Sequence, residues 1–250
     1  MPGTAARVAT AVLLAPVVLV PAACSGAAEE PGLTVLAAAS LTGPFEQLAE
    51  EFEERHDVAV TLSFDSSATL AQQAVEGAPA DVLATADEPT MDDAVTGGAT
   101  AAAPTRFALN ELVLAVPEGN PADVEELGDL GGSAWVRCVD TAPCGRLATE
   151  VLAEAGVAAE PVSLETDVRA VLTKVVTGEA EAGLVYATDA ASAEEEVDSF
   201  RVGPARRHRT AYLVAPLAQA DDPKWASAWI ELLESEAGRR VLAREGFVLP

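Results

Sequence analysis

The chain has 250 residues, half of them hydrophobic, which suits one large or two ordinary domains around a real core and is too apolar for a disordered chain. Its 40 acidic residues against 15 basic give a formal net charge of −25, which argues against a nucleic-acid or anionic-membrane surface, since either needs a basic face. A small buried anion stays compatible with that charge, because surface charges beyond a Debye length of roughly 8 Å are largely screened.

Residues 1–23 read as a segment outside the fold. Arg7 supplies a positive start, residues 8–20 are mostly apolar and too short to span a bilayer, and Pro21, Ala22 and Ala23 lead into Cys24. This stretch resembles a bacterial lipoprotein signal peptide, with Pro21 where an aliphatic residue is usual. The resemblance implies that Cys24 is the lipidated first residue of the mature chain, anchoring it to the membrane on the extracytoplasmic face. An ordinary secretory signal cleaved nearby is the alternative, and either way the protein is expected outside the cytoplasm. Residues 24–32 read as a flexible tether.

Residues 33–39 form an apolar run expected to be a strand buried on both faces, and Phe45, Leu48, Ala49 and Phe52 then recur at helical spacing. Ser40 therefore lies where a strand runs into a helix. The first backbone N–H groups of that helix have no intrahelical partner, the positive end of its dipole lies behind them, and the serine hydroxyl adds a donor, so an anion fits there. The pattern repeats: Val58, Val60, Leu62 and Phe64 alternate as in a strand, and Asp65, Ser66 and Ser67 open a helix over 68–76 stopped by Gly77. Each serine alone reads equally well as a helix cap. Two such helix mouths can converge on one ligand.

A strand over 81–86 and a helix over 88–95 complete a βαβαβα series, the pattern of a doubly wound sheet with ligands at the carboxyl ends of its strands. Residues 97–105 read as a surface connection and 112–116 as the next strand. A second α/β series follows, with strands over 134–139 and 182–186 and helices over 146–155 and 167–177. A strand over 211–215 and helices near 223–233 and 237–245 end the chain.

Cys138 and Cys144 are six positions apart in an exported chain and are expected to form a disulfide. Metal binding is not expected, because neither His56 nor His208 is near them and a zinc site needs four ligands. A secreted serine hydrolase is the alternative from another class, but no Gly-x-Ser-x-Gly turn is present. The run from Arg206 to Arg209 reads as a solvated loop or as a docking site for an acidic partner.

The stretches around Ser40, around Ser67, from Gly77 to Val82, from Asp167 to Arg169 and from Gly183 to Ala190 together resemble the substrate-binding protein of bacterial molybdate ABC importers, over about residues 33–250. The resemblance implies two doubly wound α/β lobes joined by a hinge, as in type II periplasmic binding proteins. Residues 33–109 and 211–250 would form lobe 1, and 110–210 lobe 2. It implies a monomer that is not an enzyme and carries no cofactor, closes over molybdate or tungstate, and presents it to an importer permease. The implied ligand set is the hydroxyls of Ser40, Ser67 and Tyr186 with backbone N–H groups at Ser40, Ser67, Cys144 and Val168. Position 144 is commonly a small residue such as Ala in that family. A binding protein for another tetrahedral oxyanion such as sulfate would look much the same. All five residues are neutral and Asp65 is expected to point away, so a fully ionised oxyanion is favoured over phosphate, with binding nearly flat between about pH 6.5 and 9.

Overall fold

The computed structural model describes Gly3 and residues 32–250. The expected signal, Cys24 and the tether up to residue 31 lie outside the described residues.

In chain order the first part runs β1 (Gly32–Ala38), α1 (Thr42–His56), β2 (Ala59–Asp65), α2 (Ser67–Val75), β3 (Val82–Thr85), α3 (Glu88–Thr96) and β4 (Thr105–Asn110). The second part runs β5 (Leu112–Pro117), β6 (Trp135–Cys138), α4 (Pro143–Ala155), β7 (Ser163–Glu165), α5 (Val168–Val176), β8 (Ala182–Tyr186), α6 (Ala187–Ser192) and β9 (Val197–Arg201). The chain then returns as β10 (Thr210–Pro216), α7 (Pro223–Glu234) and α8 (Glu236–Arg244).

These elements build two five-stranded sheets, ordered β2-β1-β3-β10-β4 and β7-β6-β8-β5-β9. In each, three neighbouring strands are parallel and the remaining two add antiparallel pairings. The parallel strands β1, β3 and β8 are apolar along almost their whole length and buried on both faces, as helices on either side of a sheet require. The result is two α/β lobes. The chain leaves the first sheet at Asn110, enters the second at Leu112, and comes back at Thr210.

Helix α1 buries Phe45, Leu48, Ala49 and Phe52 and turns its glutamates outward. Phe45 and Phe52 each meet the Trp229 ring edge-on, at 5.4 and 5.6 Å between centroids, so α7 is bound to the first lobe by aromatic packing. That contact explains why the C-terminal helices close over the N-terminal lobe after the chain has visited the second.

Three strands have no counterpart in the sequence reading. β4 follows directly on the stretch read as a surface connection, and its Arg106 and Asn110 blur the alternation of buried Phe107 and Ala108. β7 and β9 lie at the edges of the second sheet with half-exposed side chains, so no hydrophobic period marks them.

Cys138, the last residue of β6, is disulfide-bonded to Cys144 in the first turn of α4, as expected. The helix start packs back so tightly on the strand end that a Cβ on Gly145 would lie 1.9 Å from the Val139 carbonyl oxygen. Gly145→Ala therefore forces the α4 entry to move, and chemical denaturation is expected to show a loss of about 1–3 kcal/mol, typical of overpacking. Wild-type stability in that variant would show that the loop is slack.

Candidate functional site

A small cavity of about 20 Å³ lies between the lobes, at the carboxyl ends of β1, β2 and β8. Ser40, Ser66, Ser67 and Ala86 line it from the first lobe, and Pro143, Cys144, Val168 and Tyr186 from the second. All five residues singled out from the sequence, Ser40, Ser67, Cys144, Val168 and Tyr186, thus border one space. A larger open groove begins on the other side of Ser40, but it is edged by Glu46, Glu196 and Glu245, which disfavour an anion there.

Ser67 and Val168 are the first residues of α2 and α5, and Cys144 is the second of α4. An N–H at such a position has no carbonyl one turn earlier to bond, so three helix dipoles from two lobes present free donors to one point. Ser40 sits in the short 3-10 turn Ala39–Leu41 between β1 and α1. Alanines at 38, 39 and 86 keep the first wall low, which lets the backbone approach a ligand closely.

The serine hydroxyls are oriented by partners behind them. The Ala86 N–H donates to Ser67 Oγ at 3.0 Å, occupying an oxygen lone pair and leaving the hydroxyl proton free to point into the cavity. Ser40 Oγ lies 2.7 Å from the Tyr212 hydroxyl, which itself accepts from Asn110 Nδ2 at 3.4 Å. Either hydroxyl can donate in that bond, and with Tyr212 as the donor the Ser40 proton is free to point at the cavity. Asn110 Nδ2 also donates to Thr188 Oγ1 at 2.8 Å, joining the hinge strand to α6 of the second lobe. Sequence reasoning missed Tyr212 and Asn110; a tyrosine inside the apolar strand after the second crossing was the available signal.

Tyr186 is 1% exposed and its hydroxyl has no hydrogen-bond partner among the described residues. A buried phenol left without a partner costs on the order of 1–3 kcal/mol unless something fills the cavity beside it. Burial, with Tyr212, Asp87 and Asp189 nearby, pushes its pKa well above the usual value, so it stays a protonated donor. Arg146 opposes that shift, which puts one cationic side chain within electrostatic reach of the cavity.

Three carboxylates modify the neutral site expected from the sequence. Asp65 borders the cavity instead of pointing away, because the strand ends there and its Oδ1 turns to accept the Ser66 N–H at 2.5 Å. Asp167 also borders it and caps α5 through the Ala170 N–H at 3.0 Å. Asp189, just behind Tyr186, is 2% exposed, and burial raises its pKa to about 7 although Arg169 opposes the shift. Its Oδ2 accepts the Tyr186 N–H at 3.3 Å.

Three of the four residues of the basic run are engaged within the protein. Arg207 Nε donates to Glu154 at 2.8 Å, His208 faces Glu150 and Glu154, and Arg209 reaches Glu111 at 3.1 Å. This favours the solvated loop over a docking site.

The family described as bacterial extracellular solute-binding protein matches residues 33–248. The molybdate-binding protein ModA of Mycobacterium tuberculosis strain H37Rv is 38% identical over 221 residues, 87% of this chain and 85% of that protein. Among solved structures, the periplasmic molybdate-binding protein of Azotobacter vinelandii superposes with a TM-score of 0.77 at 24% identity, covering 87% of this chain and 99% of that one. The sulfate-binding protein SubI of M. tuberculosis reaches the same TM-score at 17% identity, covering 88% and 87%. At those identities the two structures speak for the fold, while the sequence match speaks for the family. The chain belongs to the bacterial extracellular solute-binding proteins.

Proposed function

We propose that this protein captures molybdate or tungstate in the interlobe cavity and delivers it to an ABC importer, without chemistry of its own and without a cofactor. The observation that carries this reading is that Tyr186, whose buried hydroxyl has no partner among the described residues, lines the same cavity as Ser40 and Ser67 and the starts of α2, α4 and α5. In it, Ser40, Ser67 and Tyr186 give O–H donors, and Ser40, Ser67, Cys144 and Val168 give N–H donors. Residues 33–109 with 211–250 and residues 110–210 move as two lobes about Asn110 and Thr210. The 38% identity to a relative named for molybdate supports the choice of ligand.

Sulfate is the second reading, because a sulfate-binding protein shares the fold. Sulfate and molybdate carry no proton at neutral pH, so donors alone suit both and cavity size must separate them. Calorimetry with molybdate, tungstate, sulfate and phosphate is expected to show tight binding of the first two, weak sulfate and negligible phosphate. Sulfate binding as tight as molybdate would select the second reading. Tyr186→Phe removes one donor to a charged ligand and is expected to weaken molybdate by roughly ten- to a hundredfold; an unchanged dissociation constant would remove Tyr186 from the site.

Asp189 replaces the flat pH profile with a sloped one. Its native pKa of about 7 lies above the ordinary carboxyl value, so the native state holds a proton that the unfolded chain has lost between about pH 4 and 7. Stability therefore declines as pH rises through that window and levels off above it. The bound dianion favours protonated Asp189 further, so molybdate affinity is expected to fall several-fold from pH 6 to 8.5. Asp189→Asn keeps an oxygen for the Tyr186 N–H, and both slopes should flatten in it; slopes that persist would assign them to another group.

The extracytoplasmic setting follows the family, and we place the mature protein on the membrane through Cys24, acting as a monomer. Cys24→Ala is expected to release it from the membrane fraction or leave it as precursor. Full membrane retention at mature size would exclude the anchor.

A further inference from the structure

We propose that Arg146 is an interlobe latch: from α4 of the second lobe its guanidinium grips Asp87 and Thr90 of the first and holds the closed arrangement. This rests on the reading above that the lobes open and close around a ligand. Arg146 Nε and Nη2 both donate to Asp87 Oδ2, at 2.8 and 2.5 Å, and Nη2 donates to Thr90 Oγ1 at 2.5 Å. The fourth contact, Nη1 to the Thr141 carbonyl at 2.5 Å, ties the side chain to the loop that precedes its own helix.

The placement of the grip matters as much as its strength. Asp87 follows Ala86, which lines the cavity and donates to Ser67. Arg146 lies two residues past Cys144, which lines the opposite wall. The latch therefore joins the two chain segments that must meet when the cavity closes. The Asn110–Thr188 bond also crosses between lobes, but it starts from the hinge strand, where little motion occurs.

Both partners can also stand alone. Asp87 caps α3 through Oδ1, which accepts the Thr90 N–H at 3.1 Å, and Arg146 keeps Thr141; neither bond crosses the cleft. Opening thus costs only the crossing bonds, and Arg146 returns to water. Because those bonds exist in one state alone, they shift the equilibrium towards it. A guanidinium spans a carboxylate and a hydroxyl at once in a way that an ammonium does not. With the Arg146 side chain 32% exposed and that of Asp87 10%, the pair is partly screened by salt. The latch also neutralises Asp87, whose charge bears on both Tyr186 and Tyr212.

The test uses the full mature chain with Arg146→Met, Asp87→Asn, which retains a helix cap, and the double variant. Stopped-flow release of molybdate is expected to quicken about tenfold in each single variant, with association changed by less than about twofold, since the contact forms only after closure. The double variant should be no faster than the singles, and raising NaCl should quicken release in the wild type but not in the variants. Small-angle scattering of ligand-free protein should give a larger radius of gyration for Arg146→Met than for the wild type. Wild-type release rates and an unchanged radius in folded variants would overturn the latch. If Arg146→Met does not fold, Asp87→Asn and Thr90→Val decide it by the same measurements. Absence of molybdate binding by the wild type would overturn the functional reading instead, and the ligand-free scattering would still decide the latch.

Discussion

An oxyanion sealed between two protein walls loses its water, and each of its oxygens must recover hydrogen bonds from groups fixed in advance. Most of this structure can be traced to that requirement. Parallel strands put their carboxyl ends, and so the starts of the following helices, on one side of each sheet. Two such sheets face each other across the cavity, so N–H groups of α2, α4 and α5 converge from opposite sides. Hydroxyls are less directional than backbone N–H groups, and here a second layer restricts them: the Ala86 N–H donates to Ser67, and Ser40 is hydrogen-bonded to Tyr212, which accepts from Asn110. Tyr212 is held in turn by ring contacts with Phe107, Phe247 and Tyr186, which connect the hydroxyl relay to the aromatic packing of the first lobe and to the second.

The parts legible in the sequence were those governed by short-range rules. Strands buried on both faces, such as β1 and β8, announce themselves as apolar runs, and Ser40 and Ser67 stand out because a strand and a helix meet at each. Cys144, Val168 and the role of Tyr186 came only with the family resemblance, since an N–H donor leaves no mark on residue identity. β4, β7 and β9 were invisible because their side chains are half in water or interrupted by polar residues. Tyr212 and Asp65 were missed for a different reason. Their positions depend on what lies across the cleft or past a strand end, and alternation along a strand does not carry that information.

The carboxylates near the site show how an acidic protein, with a net charge of −25, can present an anion site. Asp65 and Asp167 spend an oxygen each on a neighbouring N–H, so their charge sits against a helix start that attracts it. Asp87 is paired with Arg146 across the cleft. Asp189 accepts the Tyr186 N–H but has no ion pair among the described residues, and burial makes it bind a proton more tightly. The negative charge beside the site is thus offset through three separate local arrangements, one of which titrates near neutrality.

How closure is divided between ligand and protein follows from magnitudes. Going from about 1:10 closed to open without the latch to 99:1 with ligand bound takes about 4 kcal/mol of differential interaction. An exposed ion pair supplies up to about 1 kcal/mol, and one with a largely buried carboxylate somewhat more, so the Arg146–Asp87 contact changes the ratio by roughly tenfold and leaves most of the work undone. The remainder falls to the ligand, whose oxygens bridge donors on both walls only in the closed form. A stronger latch, with Arg146 fully buried, would close the cleft before an anion arrived and would present an empty protein in the same shape as a loaded one. Partial exposure of Arg146 keeps the latch weak enough that the shape of the protein still reports what it holds.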